Sequence, residues 1–370
     1  MTALALLALA CWIYLLAWHG RFWQSGPSLT PAQPVSSPAV DVVIPARDEA
    51  EGVEQCLRSL LAQDYKGDFR IILVDDGSTD GTGAIARGLD DPRLTVLDGQ
   101  KRPAGWSGKL WAVSQGVARS TAPYVLLCDA DIVHEPAHIA TLVARAERGG
   151  LDLVSEMVAL NCASWAERAL VPAFVFFFQL LYPFEWVNDP LRKTAAAAGG
   201  TVLVHRRALQ RIGGIDAVRG ALIDDVALAT AVKRGGRIWL GHSRLARSIR
   251  PYPHPGDIWR MVARTAYVQL RFSPLVLIGA IFGLALVWLV PPVAALFGHG
   301  LAQWAGLAAW IGAMASYMPT LRRFHQSLAW ALLLPLVAVF YMAATVGSAV
   351  DHHRGRGVVW KRRAYQGEGA

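Results

Sequence analysis

Tyr124-Val-Leu-Leu-Cys-Asp-Ala-Asp-Ile132 is the stretch on which the fold of this chain turns. Tyr124 to Cys128 is a short apolar run of the kind that forms a buried strand, and it stops abruptly at two carboxylates, Asp129 and Asp131. Carboxylates at the carboxyl end of a parallel strand stand in the crevice where open α/β sheets bind ligands. Two residues apart in an extended segment, they point to the same side. That is a seat for a divalent cation, which takes oxygen ligands and is completed by substrate phosphates. The same residues also read as a strand followed by a polar turn, and an Asp-x-Asp pair alone does not separate the two.

Working outward toward the amino end, Val40-Asp-Val-Val-Ile44 reads as a strand closed by Pro45. Ala46-Arg-Asp-Glu49 leads into a helix with Val53, Leu57, Leu60 and Leu61 at helical spacing. Arg70-Ile-Ile-Leu-Val74 is a second buried strand, followed by Asp75-Asp-Gly-Ser-Thr-Asp-Gly-Thr82, whose composition suits a tight turn. A helix and the strand Leu94-Thr-Val-Leu-Asp98 complete a βαβαβ alternation, which predicts a parallel sheet with helices on both faces. Gly105-Trp-Ser-Gly-Lys109 opens the next helix. A lysine at a helix start suits an anionic group, though it reads equally as a solvated first-turn residue.

Toward the carboxyl end, a helix follows Pro136, then Leu151-Asp-Leu-Val154 and the strand Ala198–Val204, with Gly213-Gly214 as a turn. Ala221-Leu-Ile-Asp-Asp-Val-Ala-Leu228 places Asp224 and Asp225 at the start of a helix. Capping explains one acid there; of two adjacent acids in an apolar setting, one could serve as a general base. The apolar, aromatic run within 165–186 is short for a span, and reads as an interfacial or re-entrant helix or as a buried core helix. Pro251–Pro255 is a rigid turn, and Trp259–Arg271 reads as a basic amphipathic helix.

Charge is unevenly placed along the 370 residues. Met1–His19, Ser273–Leu321 and Phe324–Val350 contain no Asp, Glu, Lys or Arg. We therefore expect a membrane anchor over 1–23, a Pro/Ser-rich linker over 24–39, a catalytic domain over 40–272, transmembrane segments over 273–350 and a basic tail over 351–370. Three apolar segments (Pro274–Phe297, Leu301–Met318, Leu328–Val350) are each long enough to span. Three spans would leave the tail, with Arg354, Arg356, Lys361, Arg362 and Arg363, outside. The positive-inside rule would place it in the cytoplasm, so either one segment is re-entrant or the tail breaks the rule. The net charge of +8 goes with membrane flanks, and no basic stripe with interleaved aromatics suggests nucleic acid. Cys11, Cys56, Cys128 and Cys162 lack paired spacing, which suits buried thiols facing a reducing cytosol.

Taken together, Val43-Ile-Pro-Ala-Arg-Asp-Glu49, Val74-Asp-Asp-Gly-Ser-Thr-Asp-Gly-Thr82, Cys128-Asp-Ala-Asp131 and Ile223-Asp-Asp225 closely resemble glycosyltransferase family 2, in that family's order. The resemblance covers Val40 to Arg271. The anchor, the apolar C-terminal segments and the closing Gly355-Arg-Gly-Val-Val-Trp-Lys-Arg-Arg-Ala-Tyr365 are similar to the hopanoid-associated membrane glycosyltransferases. The resemblance implies an α/β, GT-A-type nucleotide-diphospho-sugar transferase fold. It also implies an inverting hexosyl- or N-acetylhexosaminyltransferase of the inner membrane, facing the cytoplasm and using a nucleotide sugar (a UDP-sugar) with Mg²⁺ or Mn²⁺. By the same resemblance, Pro45, Arg47 and Glu49 line the nucleotide pocket, and Asp75 or Asp76 reads the base or ribose. Lys109 lies near the diphosphate, Asp129 faces the ribose or donor sugar and shares the metal with Asp131, and Asp225 is the catalytic base. Asp224 stands where the family usually has Glu. The family's processive synthases carry a Gln-x-x-Arg-Trp helix, whereas Met261-Val-Ala-Arg-Thr265 keeps only Arg264, so single-sugar transfer to a membrane lipid, a hopanoid, is expected. The rival acceptor is a polyprenyl phosphate or another lipid. From a different class, the chain would be a nucleotide-sugar-binding scaffold or transporter; against that, no ionisable acid or base lies inside the apolar segments.

Overall fold

In the computed structural model, β1 (Val40–Ala46) passes through the centre of a sheet whose other strands are β2 (Phe69–Asp75), β3 (Leu94–Asp98), β4 (Tyr124–Cys128), β5 (Ile132–His134), β6 (Leu153–Ala159), β7 (Thr201–His205) and β8 (Ile238–Ser248). The structure describes residues 1–355 and the backbone of 358–360 and 363–365. The closing signature and the tail side chains after Gly355 lie outside the described residues. Two compact units emerge: Pro27–Asn161 with Trp186–Pro251, and Met1–Gly26 with Cys162–Glu185 and Tyr252–Val359.

The first unit holds the sheet, in the order β3-β2-β1-β4-β7-β6-β8-β5. β1 runs parallel to β2 and β4, β2 to β3, and β6 to β8. This half follows the expected βαβαβ alternation. β7 runs antiparallel to both β4 and β6, and β5 antiparallel to β8. Val42, Val43 and Ile44 are each fully buried, as are Ile71 and Leu73 of β2, the mark of a strand covered on both faces. Helix Val53–Leu61 lays Val53, Cys56, Leu57 and Leu60 against this core.

Pro45 does not close β1, as it was expected to do. The strand continues to Ala46, with Pro45 paired to Val74 and Ala46 to Asp75. The N–H of Val40 points toward β2, so alternation turns the odd-numbered positions toward β4. Pairing with β4 has already ended at Val43, so the donor that proline lacks has no partner to lose.

Asp41 staples the opposite, amino-terminal edge of the sheet. Its carboxylate accepts from the Thr121 N–H (2.7 Å), the Ala122 N–H (2.9 Å), the Ser120 hydroxyl (2.8 Å) and the Arg70 guanidinium (3.0 Å). Burial pushes the Asp41 carboxyl up, but Arg70 and the Ala122, Ser120 and Thr121 donors outweigh it and hold the group below its ordinary 3.8.

The second unit is helical. Thr2–Trp18 packs through Ala5 against Ala294, Ala302 and Ala305, small residues that let helices approach closely. Trp12 donates to the Val287 carbonyl (2.9 Å) and meets Trp288 edge-on at 5.0 Å. Helix Trp165–Leu181 buries Ala166, Ala169, Leu170, Ala173 and Phe176, though Trp165 is exposed. Instead of one helix over Trp259–Arg271 there are two, Pro255–Ala263 and Ala266–Gln269, and Arg271 and Phe272 follow at φ 54° and 55°. Among the described residues, Pro274–Phe297 (24 residues) and Leu328–His353 (26 residues) are long and apolar enough to cross a membrane. Helix Leu301–Arg323 has the length (23 residues), but Gln303, Ser316, Tyr317 and Thr320 make it less apolar.

Because the Asp41 staple is buried, Asp41→Asn is expected to cost about 1–3 kcal/mol at neutral pH, by leaving donors that face a carboxylate without their acceptor. A group with a lowered folded pKa stabilises above its unfolded value and loses that contribution as pH falls through the folded one. The gap between wild type and Asp41→Asn should therefore close below 3.8. Thermal unfolding followed by tryptophan fluorescence across pH checks both expectations.

Candidate active site

The carboxyl ends of β1, β2 and β4 lie on one edge of the sheet because the three strands are parallel. Two loops there are stitched together. The Asp48 N–H donates to the Ser78 hydroxyl (3.0 Å), and the Thr79 N–H to the Asp48 carboxylate (2.8 Å). The Glu49 N–H donates to the Thr82 hydroxyl (2.8 Å), and the Ala50 N–H to Asp80 (2.9 Å). Asp48 holds φ 49°, an αL conformation that Asp tolerates better than most residues. Much of the Asp-Gly-Ser-Thr-Asp-Gly-Thr run is thus turn chemistry that holds the Pro45–Glu49 loop in place. Asp75 takes part: it accepts from the Ser78 N–H (2.9 Å), and its other oxygen rests against Gly83, where a Cβ would sit 2.3 Å from it. Asp76 is nearly buried and faces Arg47, whose guanidinium lies 3.5 Å from its carboxylate and also donates to its carbonyl.

Four of the predicted residues meet at one point. Ser107 caps helix Gly108–Arg119 through the Leu110 N–H (3.3 Å), which sets Lys109 in the first turn. The Ser107 N–H donates to the Arg219 carbonyl (2.8 Å), tying this helix start to the segment that leads into helix Asp224–Lys233. At the far end of that helix, the Lys233 ammonium donates to the carbonyls of Trp186 (3.0 Å), Val187 (2.6 Å) and Thr194 (2.6 Å). The Lys109 ammonium then lies 2.9 Å from Asp129 and 3.1 Å from Asp224. Asp225 flanks the group: a Cβ on Gly199 would stand 3.2 Å from its carboxylate and 3.6 Å from the Lys109 ammonium, so glycine keeps that wall open.

Charge crowding sets the protonation of these groups. Burial pulls the Lys109 ammonium down, but Asp129 and Asp224 outweigh it and hold the group above its ordinary value. Burial raises Asp129, which Lys109 partly offsets. Asp225 is pushed up to about 7 by burial and then by the neighbouring Asp224 charge. A carboxyl poised there can take a proton at neutral pH, as a general base must.

Asp131 stands apart from the lysine. Its carboxylate accepts from Arg250 Nε (2.5 Å), and the same guanidinium reaches both oxygens of Glu49 (2.8 and 3.0 Å). Sequence reasoning missed Arg250. It arrives because β8 pairs antiparallel with β5, Ser248 opposite Ile132, and the Ile249 N–H donates to the Asp131 carbonyl (2.9 Å). The available signal was the apolar Ile238-Trp-Leu240 after the Gly235-Gly236 turn, which marks a strand start; its antiparallel partner is three residues long.

The predicted residues thus fall into Lys109–Asp129–Asp224–Asp225, Glu49–Asp131 bridged by Arg250, and Arg47–Asp76, with Pro45 inside β1 one residue before its end and Asp75 at the end of β2. Asp129 and Asp131 offer hard oxygen donors, and their charge is balanced by Lys109 and Arg250. A hard divalent cation suits that donor set.

Residues 41–213 match the Glycosyl transferase family 2 profile. The chain is 30% identical over 139 residues to "Glycosyltransferase AglE" of Haloferax volcanii, a match covering 35% of this chain and 44% of that protein. It is 27% identical over 255 residues to "Probable glycosyltransferase YdaM" of Bacillus subtilis, covering 64% and 57% respectively. It thus spans about half the length of these curated relatives. A mannosyltransferase from Pyrobaculum calidifontis, solved with GDP-Man and Mn²⁺, superposes with a TM-score of 0.58 at 22% identity, covering 96% of this chain and 99% of that one. That likeness shows the fold, which is GT-A-like.

A raised carboxyl pKa opposes stability. Asp225 is neutral in the unfolded chain only near or below 3.8 but stays neutral in the folded one up to about 7. The cost of burying this group is therefore small near 3.8, grows across the window and is full above it, where the folded chain must hold the charge. Asp225→Asn, which mimics the neutral acid, should raise Tm relative to wild type at about pH 8, with the gain vanishing near pH 4. An equal Tm difference at both ends, read by thermal unfolding in detergent, would contradict this assignment.

Proposed function

With residues 41–213 forming a glycosyl transferase family 2 domain, we propose that this chain is a membrane-bound inverting glycosyltransferase. It moves one sugar from a nucleotide-diphosphate sugar, a UDP-sugar, to a hydroxyl of a membrane lipid, with a hopanoid as the acceptor that the sequence resemblance favours. The observation that carries the reaction is Asp225, a carboxyl held at about 7 beside an ammonium that already binds two other acids.

Asp225 takes the proton of the acceptor hydroxyl as its oxygen attacks the anomeric carbon. The bond from that carbon to the diphosphate oxygen breaks, and the nucleotide diphosphate leaves with the electron pair. One displacement inverts the centre, so an α-linked donor gives a β-glycoside. Lys109 faces the developing charge of the leaving group. Asp129 and Asp131 would hold the divalent cation, Mg²⁺ or Mn²⁺, which neutralises diphosphate charge when bound. Arg47 with Asp76, and Glu49 on the stitched loop, form the nucleotide wall.

The lipid acceptor rests on the helical unit. Leu275 (81% exposed), Phe282 (73%) and Phe297 (71%) project from an apolar 24-residue stretch, and such a surface suits lipid rather than water. We read Pro274–Phe297 and Leu328–His353 as spans, with Thr2–Trp18 as an anchor, and the sheet unit on the cytoplasmic side.

Nucleotide release by the detergent-solubilised chain tests the proposal, using Mn²⁺ or Mg²⁺, a panel of UDP- and GDP-sugars and a total lipid extract. Lipid-dependent release is expected in wild type. In Asp225→Asn it should fall by about 10²–10⁴-fold, the usual worth of a general base. Asp131→Ala should lose release at every metal concentration that supports wild type. Full activity in Asp225→Asn with a polyprenyl phosphate would move the acceptor to that class, since a phosphate needs little base assistance. Binding of a nucleotide sugar without release under any condition would favour a scaffold.

A further inference from the structure

A second constellation lies directly beneath the Asp129 loop and takes no part in the proposed transfer. Cys56, Cys128 and His134 bring two thiols and an imidazole within 4.8 Å of one another. They are 0%, 2% and 4% exposed. Helix Val53–Leu61, the end of β4 and the end of β5 each contribute one residue. We propose that these three residues form a soft-metal site, a Cys₂His seat for a divalent ion of the zinc class, distinct from the side-chain carboxylates of Asp129 and Asp131.

Three features of the geometry support this. The first is spacing: a tetrahedral ion with metal–sulfur bonds of about 2.3 Å and metal–nitrogen bonds of about 2.0 Å holds its ligands roughly 3.5–3.8 Å apart. His134 Nε2 is 3.1 Å from Cys128 Sγ, so the ligands need only a small outward adjustment. The Asp129 carbonyl oxygen, 3.2 Å from Cys128 Sγ and 3.8 Å from Cys56 Sγ, supplies a fourth position.

The second is orientation of the imidazole. His134 Nδ1 lies 3.0 Å from His138 Nδ1, and His138 Nε2 pairs with the buried Glu156 carboxylate, which also accepts from the Thr201 hydroxyl (2.8 Å). With one proton on each ring, His138 gives its Nε2–H to Glu156 and accepts the Nδ1–H of His134. The His134 Nε2 lone pair is then left pointing at the sulfurs. A ring whose far nitrogen donates into a chain ending on a carboxylate is the usual outer arrangement of a metal-bound histidine.

The third is charge. A divalent ion that displaces the protons of two thiols leaves a neutral complex, the state a buried pocket tolerates, whereas an isolated buried ion would be very costly. Sulfur and imidazole select zinc-class ions over the magnesium-class ions that prefer carboxylates. The two sites are therefore chemically separate although Cys128 and Asp129 are neighbours in sequence.

Cobalt(II) is the probe. Full-length chain in detergent, prepared from metal-depleted medium and kept reduced, is titrated with Co²⁺ and followed by absorption. A near-ultraviolet thiolate-to-cobalt band and the intense visible bands of a tetrahedral centre should appear, saturating at a single equivalent. Added Zn²⁺ should bleach them. Cys56→Ser and Cys128→Ser should each weaken the thiolate band and together abolish it, His134→Gln should shift the visible bands, and Asp131→Ala should keep both. Only the weak visible bands of octahedral cobalt in wild type, or a thiolate band that survives the double serine variant, would overturn the site. Zn²⁺ competition in wild type decides the matter even if a variant fails to fold.

Discussion

The ammonium of Lys109 sits between Asp129, from the end of β4, and Asp224, from the start of a helix nearly a hundred residues later. Without that cation three carboxylates would crowd one partly buried pocket, and like charges so placed cannot all stay ionised. With it, two acids are paired and the third, Asp225, is left at about 7. The capped start of helix Gly108–Arg119, the Ser107–Arg219 tie and the Lys233 anchor all serve to hold this one arrangement. Arg250 does the same for Glu49 and Asp131 on the other side of the loop. Both cations stand beside carboxylates: a divalent ion would compete with them for those acids, and a diphosphate would compete with the acids for the cations. Donor binding is therefore expected to rearrange charge pairs rather than fill an empty basin.

The acids of one motif differ in what they hold. Of the carboxylates in the Asp75–Asp80 run, Asp75 and Asp80 accept from local backbone N–H groups and position the loop. Asp76 is the one aimed at a cation, Arg47. Asp41, an acid outside every motif, is fully engaged in holding the amino-terminal edge of the sheet. Their composition is alike; what separates them is which donors surround them.

Much of this was legible in the sequence. Apolar runs ending at Ile44, Val74 and Cys128 located three parallel strands, and motif order located the four residues around Lys109. Strand direction after β4 was not legible, because a strand buried on both faces carries no directional signal; β7 and β5 could be placed antiparallel only with their partners in view. Arg250 was hidden for the same reason: an arginine in an Ile-Arg-Pro stretch carries no local mark, and it becomes a site residue only when β8 pairs with β5. Pro45 misled because proline's effect in a strand depends on which side its missing donor faces.

The central claim is that Asp224 and burial hold Asp225 as a base that works at neutral pH. The pH dependence of kcat/KM for nucleotide release, compared between wild type and Asp224→Asn, tests it most directly, because that profile reports the groups of the free enzyme. Wild type should show an acid limb near 7, set by Asp225. In Asp224→Asn the neighbouring charge is gone and Lys109 is freed toward Asp225, so the limb should move to lower pH. A limb that stays in place in the variant would mean that another group takes the proton.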